Sequence, residues 1–482
     1  MQTPAPAAEE KSGQGAEILP PPNAARERII ERTIAHLGGE LIDAADPYLA
    51  AEQFLGRFFP TLRHWQHGFY ALEGTRYVEL PLSDLRERIY KACCVGERSP
   101  KKKHVDDMID ALRAAANLSD RTSPPSWIEP QPGDPDPAEL VAVANGLLEL
   151  GAGELRPASA RFFTLHALPF AYDAAAASPE QWLRFLDQVL DEDSIATLQE
   201  WFGYCLTLDT SQQKALLVVG PKRSGKGTLA RVLTALLGRS SVASPTLASL
   251  GLPFGLQSLI GKVLALISDV RLGGRIDQQT IVENLLRISG EDQVSIPRKF
   301  LADYTGTLPT RFMLLTNEAP RLTDASGALA SRFLVIRMTA SFYGREDPQL
   351  TARLLGELPG ILNWALAGLA SLRDRGSFRQ PDSARELLEE INVLAAPMLA
   401  FLDEAVDDSD PSAEELEPKQ LYAAWCHWCR DNGREHPGSL QTFGRDLRAI
   451  RPGLQIKQPR NKTGDGRQRR VYAGMRLRFE AR

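Results

Sequence analysis

One nine-residue loop constrains what this chain can fold into more than any other feature. The string GPKRSGKGT occupies residues 220–228, between the apolar run ALLVV at 215–219 and the helical pattern LARVLTALL at 229–237, which Gly238 can end. Buried strand, glycine-rich turn and helix in that order aim the backbone N–H groups of the loop and of the helix start at one spot, a phosphate cradle. Gly220, Pro221, Lys222, Arg223, Ser224, Gly225, Lys226, Gly227 and Thr228 are therefore the candidate nucleotide-binding residues, with Lys226 as the point charge for the β- and γ-phosphates of a nucleoside triphosphate such as ATP. The position after the lysine ordinarily carries a Ser or Thr whose hydroxyl ligates Mg²⁺; here it is Gly227, and Thr228 comes one later. Either Thr228 takes over the metal contact or water fills it.

At 482 residues the chain has room for two to four domains with their own cores. Its 56 Lys and Arg nearly balance 61 Asp and Glu, so global charge announces no nucleic-acid partner, but the distribution does. Residues 402–417 carry eight acids and no base, whereas residues 440–482 carry twelve Lys and Arg against three acids. An acidic linker followed by a basic terminal module is the implied order. No apolar run reaches membrane-spanning length and no signal-peptide pattern opens the chain, so a cytoplasmic protein is expected. Five cysteines in so long a chain suit a reducing compartment. Cys426 and Cys429 have the spacing of half a zinc site, but they fall in a helical pattern in which Trp425 and Cys429 share a face, so the expectation is core packing.

Composition and periodicity divide the chain into a disordered lead-in at 1–25, a mostly helical domain at 26–178, an ATPase-type domain at 179–380, a linker at 381–417 and a basic domain at 418–482. Within the second segment, residues 68–80 read as a hairpin turning at Glu73 and Gly74, and residues 83–91 as a helix capped by Ser83. A single helix over about 179–209 leads into the glycine loop. The basic run KKKH at 101–104 is read as solvated surface.

A triphosphate site needs an acid for Mg²⁺ on a neighbouring strand. Residues 263–269, VLALISD, provide a buried-strand pattern that ends in a carboxylate, where parallel sheets place ligands. Asp269 is the candidate metal-side acid, and with no Glu beside it the water-activating base is unassigned. A second buried run, RFMLLTN at 311–317, ends in Asn317, suited to sense the γ-phosphate or the attacking water. Arg332 opens a further strand pattern at 332–336; a guanidinium there suits transition-state charge and is often lent by a neighbouring subunit, with Arg337 as its competitor. Between acid and amide, SGEDQVSIPRKF at 289–300 reads as a helix end at Gly290 and a strand through Val294 and Ile296, tipped by Arg298 and Lys299. Such a basic tip suits a phosphate backbone.

The series GPKRSGKGT, LALISD, SGEDQVSIPRK, FMLLTNEAP and ASRFLVIRM resembles a superfamily 3 helicase core, most closely the primase-helicases of phages, satellite phages and plasmids related to the poxvirus-type family. The likeness is strong over roughly 180–380. It implies an α/β fold with an AAA+-like P-loop core on a parallel sheet, a homo-oligomeric ring, typically a hexamer, and ATP- and Mg²⁺-driven movement on single-stranded and forked DNA, in the 3′ to 5′ direction. By this resemblance Lys226 and Thr228 match the phosphate loop, Asp269 the metal acid, Asn317 the sensor, Arg332 the arginine finger and Lys299 the DNA-gripping hairpin. The region before residue 180 lacks strand-borne paired aspartates, so a separate primase is the implied partner.

At the C-terminus, residues 418–431 and 439–450 read as helices, the second capped by Ser439, and two strand patterns then flank a basic turn. Helices followed by a basic hairpin suggest a winged helix, with Arg445 and Arg448 on the recognition helix and Lys457, Arg460, Lys462, Arg467, Arg469 and Arg470 on the wing. The sum is an ATP-dependent DNA helicase of a mobile element acting in replication. Two alternatives stand beside it. One is an ATP-switched DNA-binding initiator without processive unwinding; the other is a nucleotide kinase, because nucleoside monophosphate kinases share the Gly-Lys-Gly-Thr ending.

Overall fold

The computed structural model describes residues 42–43, 45–93, 99–119, 121–268, 278–299, 301–320, 328–395, 397–407, 416–433, 437–458 and 470–478. The lead-in expected at 1–25 lies outside them. The chain divides into two compact units, one of residues 1–73 and 77–123 and the other of residues 74–76 and 124–482.

The first unit holds helices α1 (Pro47–Phe58), α2 (Leu82–Cys93) and α3 (Lys102–Ala115), with a three-stranded sheet ordered β1 (Arg63–Trp65), β2 (Gly68–Glu73), β3 (Arg76–Leu80). Its core follows from helical spacing: Val105, Met108, Ile109 and Leu112 recur at i, i+3, i+4 and i+7 on α3 and are buried together with Ala50, Ala51 and Phe54 of α1. The expected hairpin is present, with Gly74 in the left-handed region at φ 63°. Ser83, expected as a cap, lies inside α2. The Pro81 carbonyl already accepts from the N–H groups of Asp84 and Leu85, so the first turn closes ahead of it, and the Ser83 hydroxyl donates to Asp84 instead.

The second unit opens with short antiparallel pieces. Strands β4 (Ser126–Trp127) and β8 (Phe162–Phe163) pair with each other, and β5 (Leu140–Val143), β6 (Gly146–Glu149) and β7 (Glu154–Arg156) form a meander. Two helices follow, α4 (Glu180–Val189) and α5 (Glu192–Cys205), where one was expected. The break lies at Leu190 and Asp191, both extended, and the Asp191 carboxylate caps α5 by accepting from the Ser194 N–H at 2.9 Å.

The centre of this unit is a five-stranded parallel sheet of β9 (Ala215–Val219), β10 (Val242–Ala243), β11 (Leu264–Ser268), β14 (Arg311–Thr316) and β15 (Phe333–Arg337), in the spatial order β10-β11-β14-β9-β15. Parallel strands are covered on both faces and read as unbroken apolar runs; β9 and β14 are buried along their whole length. Alternate side chains feed two cores. Leu216, Val218, Met313, Leu315, Leu334 and Ile336 face one that contains α4, α5, α6 (Lys226–Leu237) and α10 (Leu358–Arg375). Leu217, Val219, Phe312, Leu314, Phe333 and Val335 face the other, with α7 (Gln278–Ser289) and α11 (Arg385–Ala395). Each fully buried Leu or Val contributes about 1.5–3 kcal/mol of transfer free energy, so this two-sided burial fixes the strand register. Against α5, α10 approaches so closely that a Cβ on Gly203 would lie 2.3 Å from the Ala365 carbonyl oxygen, and one on Gly368 2.3 Å from that of Gln199.

A two-stranded hairpin, β12 (Val294–Arg298) with β13 (Leu301–Gly306), leaves this core, followed later by the short helices α8 (Ala328–Arg332) and α9 (Leu350–Leu355). The segment expected as a linker at 381–417 carries structure of its own. Leu387 and Ile391 of α11 join the sheet's second core, and Met398, Phe401 and Leu402 of α12 (Pro397–Ala405) join the core of the C-terminal module. That module adds β16 (Val406–Asp407), α13 (Pro418–Asp431), α14 (Leu440–Ile450), β17 (Ile456–Lys457), β18 (Val471–Tyr472) and β19 (Arg476–Leu477). Both helices match their expected bounds, and the Ser439 hydroxyl accepts from the Thr442 N–H. Trp425 and Cys429 are buried here among Phe401, Trp428 and Phe443. The second C-terminal strand pattern divides in two: β18 pairs with β17, whereas β19 turns back to pair with β16, and Asp407 accepts from Arg476.

Candidate functional site

Residues 220–228 connect the C-terminal end of β9 to α6, and their backbone dictates several of their residue types. Gly225 sits at φ 99°, and a Cβ there would come within 3.0 Å of the Phe185 ring. A Cβ on Gly220 would lie 2.7 Å from the Met338 carbonyl oxygen. Arg223 adopts φ 61° without being glycine. Its carbonyl accepts from the Phe342 N–H at 2.9 Å and its guanidinium lies 3.3 Å from Glu346. These bonds, with the Ser341 hydroxyl donating to the Lys222 carbonyl at 2.9 Å, strap residues 339–349 across the loop.

Beneath the strap is a cavity of about 850 Å³ lined by Lys222, Arg223, Ser224, Gly225, Lys226, Gly227, Thr228 and Asn317. The structure thus brings the loop and Asn317 together at the C-terminal edge of the parallel sheet, where open α/β sheets hold ligands. One face of α4 (Gln181, Arg184, Phe185 and Gln188, at i, i+3, i+4 and i+7) forms another wall, and Arg231, Arg345 and Arg353 extend the rim. Seven cationic side chains line the cavity against the two carboxylates of Glu346 and Asp347, which makes it a site for an anion. The Arg353 guanidinium, 2.5 Å from Asp347, holds that carboxyl below its usual range.

The Lys226 ammonium is folded onto its own loop, donating to the carbonyls of Gly220 at 2.6 Å and Pro221 at 2.7 Å and to the Ser224 hydroxyl at 3.2 Å. Thr228 is nearly buried, and its hydroxyl accepts from Arg231 at 3.1 Å. A hydroxyl oxygen has a second lone pair, so Thr228 fits as one oxygen ligand of a metal at this loop. Strand β11 ends at Ser268 at the same sheet edge; Asp269, the next residue, lies outside the described residues.

Arg332 is at the other end of the sheet. It ends α8 just ahead of β15, so the five residues of β15 separate it from the loop edge, roughly 15 Å or more. There it donates to the Gln213 side chain and backbone, and Lys214 donates to the Ser331 carbonyl at 2.6 Å. Burial and the neighbouring Arg332 hold the Lys214 ammonium below the usual lysine range. Arg337, the competitor, is paired in register with Val219 at the loop edge, where it is exposed and 4.0 Å from Glu386.

The hairpin β12–β13 has the expected form. Val294 and Ile296 are buried, Arg298 closes the strand and donates to the Ala302 carbonyl at 2.7 Å, and Lys299 is exposed in the turn with its ammonium 5.7 Å from the centre of the Phe254 ring. On α14, Phe443 and Leu447 face the core while Arg445 and Arg448 are exposed together. Lys457 and Arg470 are exposed at the base of the β17–β18 pair; Arg460, Lys462, Arg467 and Arg469 lie outside the described residues. Sequence reading missed the wall of α4 and Arg231, Arg345 and Arg353. The i, i+3, i+4, i+7 spacing on α4 was there to be read, but the strap has no periodicity to betray it.

Fold and site define an α/β protein with a cationic cavity at the C-terminal edge of a parallel sheet. Residues 67–191 match the family described as D5 N terminal like, and residues 218–332 match a family of unknown function, DUF5906. Among solved structures, the chain is similar to the apo structure of the NrS-1 C terminal region (305-718), with 13% identity, 89% of this chain and 99% of that chain covered, and a TM-score of 0.52. It is also similar to the A form apo structure of the NrS-1 C terminal region, with 12% identity, 90% and 100% covered, and a TM-score of 0.49. The first of these likenesses shows a shared fold. Among the described residues, no helix is long and apolar enough to cross a membrane.

Proposed function

We propose that this chain is an ATP-dependent DNA helicase of a mobile element, acting in replication as a homo-oligomeric ring, hexameric by family resemblance, on single-stranded and forked DNA and alongside a separate primase. The observation that carries the reading is the division of the site between two edges of one sheet. Lys226, Thr228 and Asn317 meet at the cavity, whereas Arg332 lies at the far edge and cannot serve the cavity of its own chain. Such a site is completed when a second copy lends its arginine, as heterologous ring interfaces allow.

In this reading the loop N–H groups and Lys226 bind the β- and γ-phosphates, Asn317 orients the attacking water, and the neighbour's Arg332 stabilises charge on the transferring phosphoryl group. Thr228 and Asp269 are the proposed ligands of Mg²⁺, which when bound would supply charge neutralisation at the phosphates. The Arg298–Lys299 tip grips the strand backbone, and the basic face of the C-terminal module, proposed as a winged helix, holds the DNA.

The test is ATP hydrolysis by the purified protein with and without single-stranded DNA, with Arg332→Ala beside it. Strong stimulation by DNA, lost by a factor of about 10³ or more in the variant, is expected. Tight ATP binding without turnover would favour the nucleotide-switched initiator instead, and turnover indifferent to DNA would favour the kinase.

A further inference from the structure

We propose that Arg231 is a phosphate ligand of this cavity and takes over part of the charge neutralisation that a divalent metal ordinarily provides, so that a nucleoside di- or triphosphate binds nearly as well without Mg²⁺ as with it. The proposal rests on the nucleotide reading of the loop and goes beyond it.

Three observations converge on Arg231. Its Nη2 donates to the Thr228 hydroxyl at 3.1 Å, which puts a guanidinium beside the oxygen that the loop offers a metal. Its Nε donates to the Thr351 hydroxyl at 3.3 Å on α9, so both of these partners are neutral. Among the described residues no carboxylate pairs with it, whereas Arg223 is paired with Glu346 and Arg353 with Asp347. An unneutralised guanidinium held by two hydroxyls gains by exchanging them for a phosphate, because charge-assisted and bidentate bonds to phosphate are stronger.

Gly227 supplies a further observation. It lies in the first turn of α6 with no left-handed φ to require glycine, and glycine weakens a helix. A Cβ at 227 would sit in ordinary contact, 3.4 Å from Arg231 Nη1, so the position that elsewhere carries the metal-ligating hydroxyl lies beside this guanidinium. At this rim the loop thus offers a guanidinium next to the place where a metal-ligating hydroxyl is missing. The helix places residues 227 and 231 on one face, four apart.

The experiment is calorimetric titration of ADP and of a non-hydrolysable ATP analogue, in Mg²⁺ and in excess EDTA, into the wild type and the Arg231→Gln, Arg231→Lys, Gly227→Ser and Lys226→Ala variants. The wild type is expected to weaken by less than about tenfold in EDTA, the worth of a single net hydrogen bond. Arg231→Gln should weaken by about ten- to a hundredfold in EDTA while keeping most of its affinity in Mg²⁺, Arg231→Lys should fall between, and Gly227→Ser should become more metal-dependent. A wild type that loses nucleotide in EDTA overturns the proposal. So does an Arg231→Gln variant that only melts earlier and binds as the wild type does in both buffers, because Arg231 then merely tethers α9. If the wild type binds no nucleotide in either buffer, or Lys226→Ala binds as the wild type does, the nucleotide reading itself falls and takes this proposal with it.

Discussion

Lys226 is satisfied by its own loop in this structure, and that shapes what a ligand must do. Two carbonyls and a hydroxyl hold the ammonium, so on the proposed reading a phosphate would have to displace three hydrogen bonds, with its charge in its favour. At the opposite edge of the sheet, single residues carry cost without an evident ligand. Arg311 is 2% exposed, its Nη2 donates to Thr207 and Asp209, its guanidinium lies 4.2 Å from the centre of the Tyr204 ring, and its Nε and Nη1 have no partner among the described residues. Nearby, His166 has an enclosed Nδ1 without a partner among the described residues. Burial first, then the charges of Arg76, Lys262 and Arg311, push its imidazole down to about 3. The unfolded chain takes up that proton near pH 6.5 and the folded chain only near 3. The contribution of neutral His166 is therefore complete above about pH 6.5 and is lost as pH falls toward 3, with a slope of up to about 1.4 kcal/mol per pH unit. Denaturant melts of the wild type and His166→Gln from pH 7.5 to pH 4.5 are expected to show wild-type stability declining relative to the variant across that window. A constant difference would mean that His166 does not titrate there.

Among the elements, what was legible had local causes. Strands β9, β11, β14 and β15 announce themselves as apolar runs, α14 by its Ser439 cap, and the β12–β13 hairpin by the alternation of Val294 and Ile296 ahead of two basic residues. What was illegible depends on partners far along the chain. The break between α4 and α5 interrupts no apolar pattern and shows only in the Asp191 cap, and α11 and α12 lie in a stretch whose prolines and acids suggested a linker. The β16–β19 pairing joins residues about 70 positions apart. The strap over the loop is held by backbone bonds such as Phe342 N–H to the Arg223 carbonyl, which no side-chain pattern reports. The hairpin supports an element-scale prediction. Lys299 is exposed and beyond the buried part of the hairpin, so Lys299→Ala is expected to leave folding and basal ATP hydrolysis within about twofold, since surface substitutions shift stability by at most about 0.5 kcal/mol. On the proposed gripping role, unwinding of a forked duplex should be lost in this variant. Full unwinding by this variant would remove the gripping role.

For the whole molecule the decisive question is whether one chain holds a complete site. The cavity and Arg332 are at opposite edges of the same sheet, and the strands between them are among the most buried parts of the fold, so no hinge within the sheet can bring them together. Arg332 is also useful where it stands, tying α8 to Gln213, so a lost activity in Arg332→Ala alone does not distinguish a lent arginine from a local pin. Mixing two inactive proteins does. Lys226→Ala chains keep Arg332 and lack the loop lysine; Arg332→Ala chains keep the loop and lack the arginine. In a ring of heterologous contacts assembled at random from equal amounts, about a quarter of the interfaces join an intact loop to an intact arginine. Those interfaces hydrolyse ATP if the arginine acts across the contact. Hydrolysis by the mixture is therefore expected to rise well above the sum of the two separate variants and to follow the mixing ratio with a maximum at equal amounts. If Arg332 instead serves only its own chain, every chain in the mixture remains defective and no ratio restores activity.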